Sequence, residues 1–107
     1  MRDNLKAAGA VPPRYPHAAH HIVAHTDRRA LASQNHLKSF GIHADDASNG
    51  VFLRYEQLGQ GANHRNIHSD LYYQQVDKRI LATTSKDEAI LALRDIANEL
   101  ELDIFPY

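Results

Sequence analysis

The stretch Ala18-Ala19-His20-His21-Ile22-Val23-Ala24 decides how this chain is read. Small apolar residues lead into two adjacent histidines, and β-branched Ile22 and Val23 follow, a composition that favours a short strand over residues 18–24. Successive side chains on a strand point to opposite faces. His20 and His21 therefore serve different spaces, and only one of them can face a shared metal. The pair suits a division of labour between a ligand and a base. Imidazole is the natural base near neutral pH, with an unperturbed pKa of roughly 6.5.

Outward from this stretch, the elements come in a simple order. Thr26 or Asp27 offers an N-cap, and Arg28 to Phe40 reads as a helix with Ala30, Leu37 and Phe40 roughly on one face, ended by Gly41. Residues 41–50 are turn chemistry, in which Asn49-Gly50 tolerates positive φ and suits a tight turn. Val51-Phe52-Leu53-Arg54 reads as a second strand, expected to pair with residues 21–24 as an antiparallel ribbon. After a Gly-containing loop, a helix runs to about Ala82. It starts either at Asn63, which puts His64 and His68 inside it, or at Ser69, with Asp70 favourable in the first turn.

The last helix, 85–102, has the clearest signature. Ser85 and Glu88 have capping-box spacing, and Ile90, Leu93, Ala97 and Leu100 share one apolar face. Ile104-Phe105-Pro106-Tyr107 is expected to pack back on the domain. On the other side of the histidine pair, Val11-Pro12-Pro13-Arg14-Tyr15-Pro16 cannot form an interior strand or helix, so residues 1–17 are read as an extended lead-in or linker. The order strand, helix, strand, helix, helix defines a small α+β domain over residues 18–107.

The 107 residues suffice for one domain with a single modest core. Nothing approaches the roughly 18 consecutive apolar residues of a membrane span, and the first residues lack the apolar core of a signal peptide. Cysteine is absent, which excludes disulfides and thiolate metal sites and leaves His, Asp or Glu as ligands. The charge is uneven. Residues 1–66 carry eight Lys/Arg against five Asp/Glu, and residues 67–107 carry four against eight. An anionic substrate would therefore meet the histidine-rich part.

His64 and His68, four apart, can grip one cation from one side of a helical turn, and a member of the His20-His21 pair can complete a site with open positions. A metal held this way can neutralise charge on phosphate oxygens and a leaving oxygen. A base also needs an orienting partner on its other ring nitrogen, and Asn49 could supply a side-chain or backbone acceptor. Taken singly, His17, His25, His36 and His43 read as structural or exposed histidines, and an isolated His-x-x-x-His as a solvated helix face. The ordered set of His-His, Asn-Gly and His-x-x-x-His is harder to assign to chance.

These residues resemble the AHH nucleases, a branch of the His-Asn-His superfamily with a ββα-metal, treble-clef-like finger. The likeness starts at Ala19-His20-His21-Ile22-Val23 and continues through Leu37-x-x-Phe40-Gly41-Ile42, Asn49-Gly50-Val51-Phe52-Leu53, His64-Arg65-x-x-His68-Ser69 and Tyr72-Tyr73-x-x-Val76. It covers about residues 18–82, with the C-terminal helix as a support. The resemblance implies that His21 is the general base, that His20, His64 and His68 hold one divalent metal ion (Mg, Zn, Ni or Mn), and that Asn49 holds the ribbon and orients the base. Arg65 would contact phosphate or stabilise transition-state charge. One departure stands out: many superfamily members carry a cysteine-bound structural zinc, and this chain has no cysteine.

The resemblance further implies a metal-dependent endonuclease, expected to cut DNA with little sequence preference, with Arg28, Arg29 and Arg54 helping to hold the backbone. It also implies the toxin module of a secreted antibacterial effector, acting in the cytoplasm of a target cell and countered by a cognate immunity protein. Two alternatives keep the same residues: an RNase using the same site, and a non-catalytic binding module stabilised by a closed zinc site. A dispensable His21 would mark the binding module.

Overall fold

The computed structural model describes residues 1–14, 16–54 and 69–106. At its centre is a two-stranded antiparallel ribbon of β1 (His17–His21) and β2 (Gly50–Arg54), with His20 opposite Val51 and His21 opposite Gly50. Residues opposite each other share a face. Ala18, His20, Val51 and Leu53 thus form one face, whose Leu53, Val51 and His20 are 2%, 3% and 4% exposed. The strand is shorter than the expected 18–24, and Val51–Arg54 pairs with residues 17–20 instead of the expected 21–24. Ile22 and Val23 lie beyond its end, yet both are fully buried, so their side chains serve the core rather than the ladder.

Helix α2 (Leu31–Ser39) is entered through a 3-10 turn at Arg28–Ala30 that Asp27 caps by accepting the Arg29 backbone N–H. It ends in a Schellman turn. Gly41 has φ +79°, the Gly41 N–H donates to the Lys38 carbonyl, and the Ile42 N–H donates to the Leu37 carbonyl. Leu37 and Ile42, the apolar pair that accompanies such a turn, are each 2% exposed.

Helix α3 (Asp70–Leu81) has Ser69 as its N-cap, accepting the Tyr72 backbone N–H. That settles the two possible starts: the helix begins after His68. Its Tyr72, Tyr73, Val76 and Ile80 are buried. Helix α4 (Lys86–Glu101) is capped by Ser85, whose hydroxyl accepts from the Glu88 N–H, while the Glu88 carboxylate reaches back to Thr84. Its buried stripe is Ala89, Leu93, Ile96 and Leu100, with Ile90 and Ala97 only partly buried. This stripe is rotated slightly from the expected one. Phe105 folds back edge-on to Tyr72, 5.6 Å between ring centres, whereas Ile104 is exposed.

The lead-in departs from expectation. Residues Arg2–Ala7, expected to be extended, form helix α1, which packs on both strands with Leu5 buried. Gly50 explains how it gets so close. Its φ is −118°, so the Asn-Gly pair is not there for positive φ. A Cβ at Gly50 would instead lie 2.4 Å from the Met1 sulfur and 3.0 Å from Leu5. The ribbon is therefore covered on both sides, by α1 on one and by the layer of α3 and α4 on the other.

Candidate active site

Alternation along β1 separates the two histidines as the sequence suggests. His20 is buried against Tyr72, and the His21 side chain is 27% exposed on the other side. The Tyr72 hydroxyl donates to the Ile22 carbonyl at 2.7 Å, so its single hydrogen is committed. The 3.4 Å contact between His20 Nε2 and the same hydroxyl oxygen then has the imidazole as donor. That tautomer leaves the ring's lone pair on Nδ1. Burial pushes the Tyr72 phenol far up, which keeps it a neutral donor.

His21 faces a carboxylate. Its Nε2 lies 2.8 Å from Asp45 Oδ1. An ionised carboxylate can only accept, so Nε2 carries the proton and Nδ1 the lone pair. The Asp45 carboxyl is held below its ordinary range, first by the hydrogen bond from His21; burial opposes this, and the charges of His21, His25 and His43 add to it. Asp45 is itself positioned. Its backbone N–H donates to His43 Nδ1 at 3.1 Å, and its backbone carbonyl accepts from Asn4 of α1 at 2.6 Å. The lead-in helix therefore helps to hold the loop that orients His21.

Asn49 is fully buried at the end of a 3-10 turn preceding β2. Its carboxamide oxygen accepts from the Val23 N–H at 2.8 Å, and its Nδ2 donates to the carbonyls of Val23 at 3.0 Å and Ala44 at 2.9 Å. Its backbone carbonyl accepts from the Ile22 N–H at 2.8 Å. Asn49 thus pins the chain just after His21 to the loop that carries Asp45. The partner of the His21 ring is Asp45, and neither acceptor of Asn49 is used on it.

His64, Arg65 and His68 lie outside the described residues. Arg54 closes β2 opposite His17. Arg28 is exposed on the 3-10 turn. Arg29, expected to hold substrate, has other commitments: it donates to Asp27 at 2.9 and 3.1 Å, to Asp70 at 2.8 Å, and lies 4.1 Å over the Tyr73 ring. Arg29 thus ties the start of α3 to the turn before α2.

Three residues that matter here escaped sequence reasoning: Asp45, His25 and His43. The ring of His25 stacks beside that of His21, 5.9 Å between centres, and the ring of His43 lies 6.4 Å from that of His25. Nitrogens of His21 and His25 and a carboxylate oxygen of Asp45 all fall within 4.8 Å of one another. The His21-x-x-x-His25 spacing is a faint signal in the sequence, but Asp45 joins only through folding. His36 is structural, as expected, bonded to the Thr83 carbonyl at 2.7 Å. Against His25 and His43 lies a cavity of about 140 Å³, floored by Val23, Leu37 and Ile42 and rimmed by Gln34 and Lys38.

A ββα-type ribbon that presents one buried and one half-exposed histidine, the latter paired with a carboxylate, is the framework of an HNH-type nuclease. The chain belongs to the AHH family, a nuclease family of the HNH/ENDO VII superfamily with conserved AHH, whose model matches residues 1–100. The triplet is Ala19-His20-His21. No curated protein and no solved structure matches the chain. Nucleases of this superfamily use a divalent metal, and the donor set fits one. It consists of imidazole and carboxylate without thiolate, and the Nε2 of the buried His20 is fixed as an N–H by Tyr72.

Proposed function

We propose that this chain hydrolyses phosphodiester bonds of DNA with little sequence preference, with His21 as general base. The observation that carries this reading is the His21–Asp45 contact, which places the ring's basic nitrogen away from the carboxylate. In the proposed reaction, His21 Nδ1 takes a proton from water as the water oxygen attacks phosphorus in line. Asp45 holds the ring's orientation and favours the imidazolium that forms. The 3′ or 5′ oxygen leaves as the P–O bond breaks. His20 with His64 and His68 would hold the divalent ion, which supplies charge neutralisation on the phosphate and the leaving oxygen. Arg65 would add a further cation there. Exposed Arg28 and Lys38 lie in the basic part of the chain and suit backbone contacts, which dominate non-specific affinity.

Duplex DNA is favoured by the aromatic side chains among the described residues. Phe52, Tyr72, Tyr73 and Phe105 are buried, and none of the large exposed apolar side chains among the described residues is aromatic. A stacking platform for single strands is therefore lacking among them. We extend the reading to an antibacterial toxin module restrained by an immunity protein, which rests on the family resemblance alone.

The test is hydrolysis of supercoiled plasmid and of RNA by purified protein in Mg²⁺, with and without EDTA. His21→Ala should lower plasmid cleavage by about a hundredfold or more, the usual worth of a general base. Equal cutting by wild type and His21→Ala would sink the assignment. Cleavage of RNA alone would move the activity to RNase, and stoichiometric zinc with neither substrate cut would make this a binding module.

A further inference from the structure

We propose that His21, His25 and Asp45 form a second cation site, selective for zinc-like transition ions, and that its occupancy switches off the base. The proposed blocking effect rests on His21 being that base, but the binding does not. The ligand atoms of the three residues lie within 4.8 Å of one another, and the closest pair, His21 Nε2 and Asp45 Oδ1, is 2.8 Å apart. Ligands around a tetrahedral zinc, at about 2.0–2.1 Å from the ion, lie roughly 3.4 Å apart. The group therefore needs only a slight opening on the Asp45 side and a slight closing from His25. His25 is free to make that movement, because it is exposed and sits in the irregular segment after β1. The rings of His21 and His25 are stacked, 25° between planes, so the exposed His25 ring must turn to aim a nitrogen at the point that His21 and Asp45 share.

This group is distinct from the family's ligand set. His20 points into the core on the opposite side of the strand, against Tyr72. The chemistry of the two sites also differs. Two imidazoles and one carboxylate suit Zn²⁺, Ni²⁺ or Co²⁺, whereas Mg²⁺ demands oxygen ligands and would pass this site by.

Occupancy has a definite chemical result. In the hydrogen-bonded state, His21 carries its proton on Nε2 and its lone pair on Nδ1. An ion shared with Asp45 takes the electron pair of Nε2. The proton formerly there moves to Nδ1, or is lost to solvent while the ion's charge lowers the basicity of the ring. In both cases Nδ1 no longer accepts a proton from water at its former strength. The same three residues thus hold two states: a proton between His21 and Asp45, with the base competent, and an ion between them, with the base blocked.

The test compares wild type, His25→Ala and His25→Cys on the full chain. Zinc stoichiometry is read by equilibrium dialysis, and plasmid cleavage is followed in fixed Mg²⁺ with rising Zn²⁺. His25→Ala should bind one zinc equivalent fewer than wild type. Measured against its own rate in Mg²⁺ alone, it should withstand zinc levels that suppress wild type tenfold. His25→Cys, which restores a ligand, should recover both the equivalent and the sensitivity. Equal zinc stoichiometry in wild type and His25→Ala would overturn the site. An unchanged zinc sensitivity in His25→Ala would overturn the blocking. Absence of plasmid cleavage by wild type in Mg²⁺ would instead count against the nuclease reading, and the stoichiometry would still decide the site.

Discussion

Asn49 illustrates how one side chain does several jobs through the backbone. The Asn-Gly pair reads as a tight turn in sequence, because both residues tolerate positive φ. In the folded chain neither is in that region. Asn49 instead spends its carboxamide on three backbone groups, of which the two of Val23 are buried with no water to fall back on and that of Ala44 is part-buried. Gly50 is needed for the close approach of α1. Asn49→Ala should therefore cost about 3 kcal/mol in urea unfolding, since it strands buried donors and acceptors as well as removing bonds. A loss below about 1 kcal/mol would mean that water or rearrangement replaces the carboxamide. His21 and Asp45 belong to this scale as well. A residue-by-residue reading finds His21, the proposed base, from its neighbour in the sequence, but its partner stands 24 positions away on a loop.

Elements with strong local signals were legible. The C-terminal helix carries a capping box and a helical stripe, and α4 has both, with the stripe turned from Ile90 and Ala97 toward Ala89 and Ile96. Helix α2 declares its end through Gly41. Helix α1 was not legible: six residues give too little periodicity, and a helix that short is marginal without tertiary contacts. Its formation follows from docking Leu5 against the ribbon. Between helices, the Arg79 guanidinium of α3 grips Glu99 of α4 with two bonds of 2.6 Å and lies 5.4 Å from the Phe105 ring. The hydrogen bonds from Arg79 hold the Glu99 carboxyl below its ordinary range. A carboxyl depressed in the folded state stabilises above its unfolded pKa, roughly 4.3, and loses that contribution as pH falls through the folded value. Wild type should thus melt a few degrees above Arg79→Met at pH 7, a partly exposed pair being worth about 1 kcal/mol or less. The gap should narrow as the pH drops below about 4. A gap that stays constant down to pH 3 would assign it to lost packing on Phe105.

At the scale of the molecule, the core is supplied by helices and the ribbon together. Ile22, Leu53, Ile80, Leu93, Ile96 and Leu100 are each 2% exposed or less. No cysteine is present to bind a structural zinc. Stability is therefore expected to come from packing, in contrast to small fingers that unfold without metal. Full chelation should abolish cleavage while leaving the far-UV circular dichroism spectrum at 25 °C unchanged. Any fall in melting temperature should be limited to the few kcal/mol of ligand linkage. Cooperative unfolding on chelation would mean that the ion is structural.

What the sequence determined alone was everything carried by neighbours in the chain. It separated His20 from His21 by strand alternation and placed the caps at Ser69 (one of two options) and Ser85. Those features depend on spacings of two to four residues, which sequence displays directly. Tertiary structure decided the rest: that Asp45 and not Asn49 meets the His21 ring, that His25 and His43 gather beside it, that Arg29 is a tether, and that the lead-in is a helix supporting the site. Each of these depends on segments folded against one another across tens of residues, where packing and the satisfaction of buried polar groups choose the partners and local propensity does not.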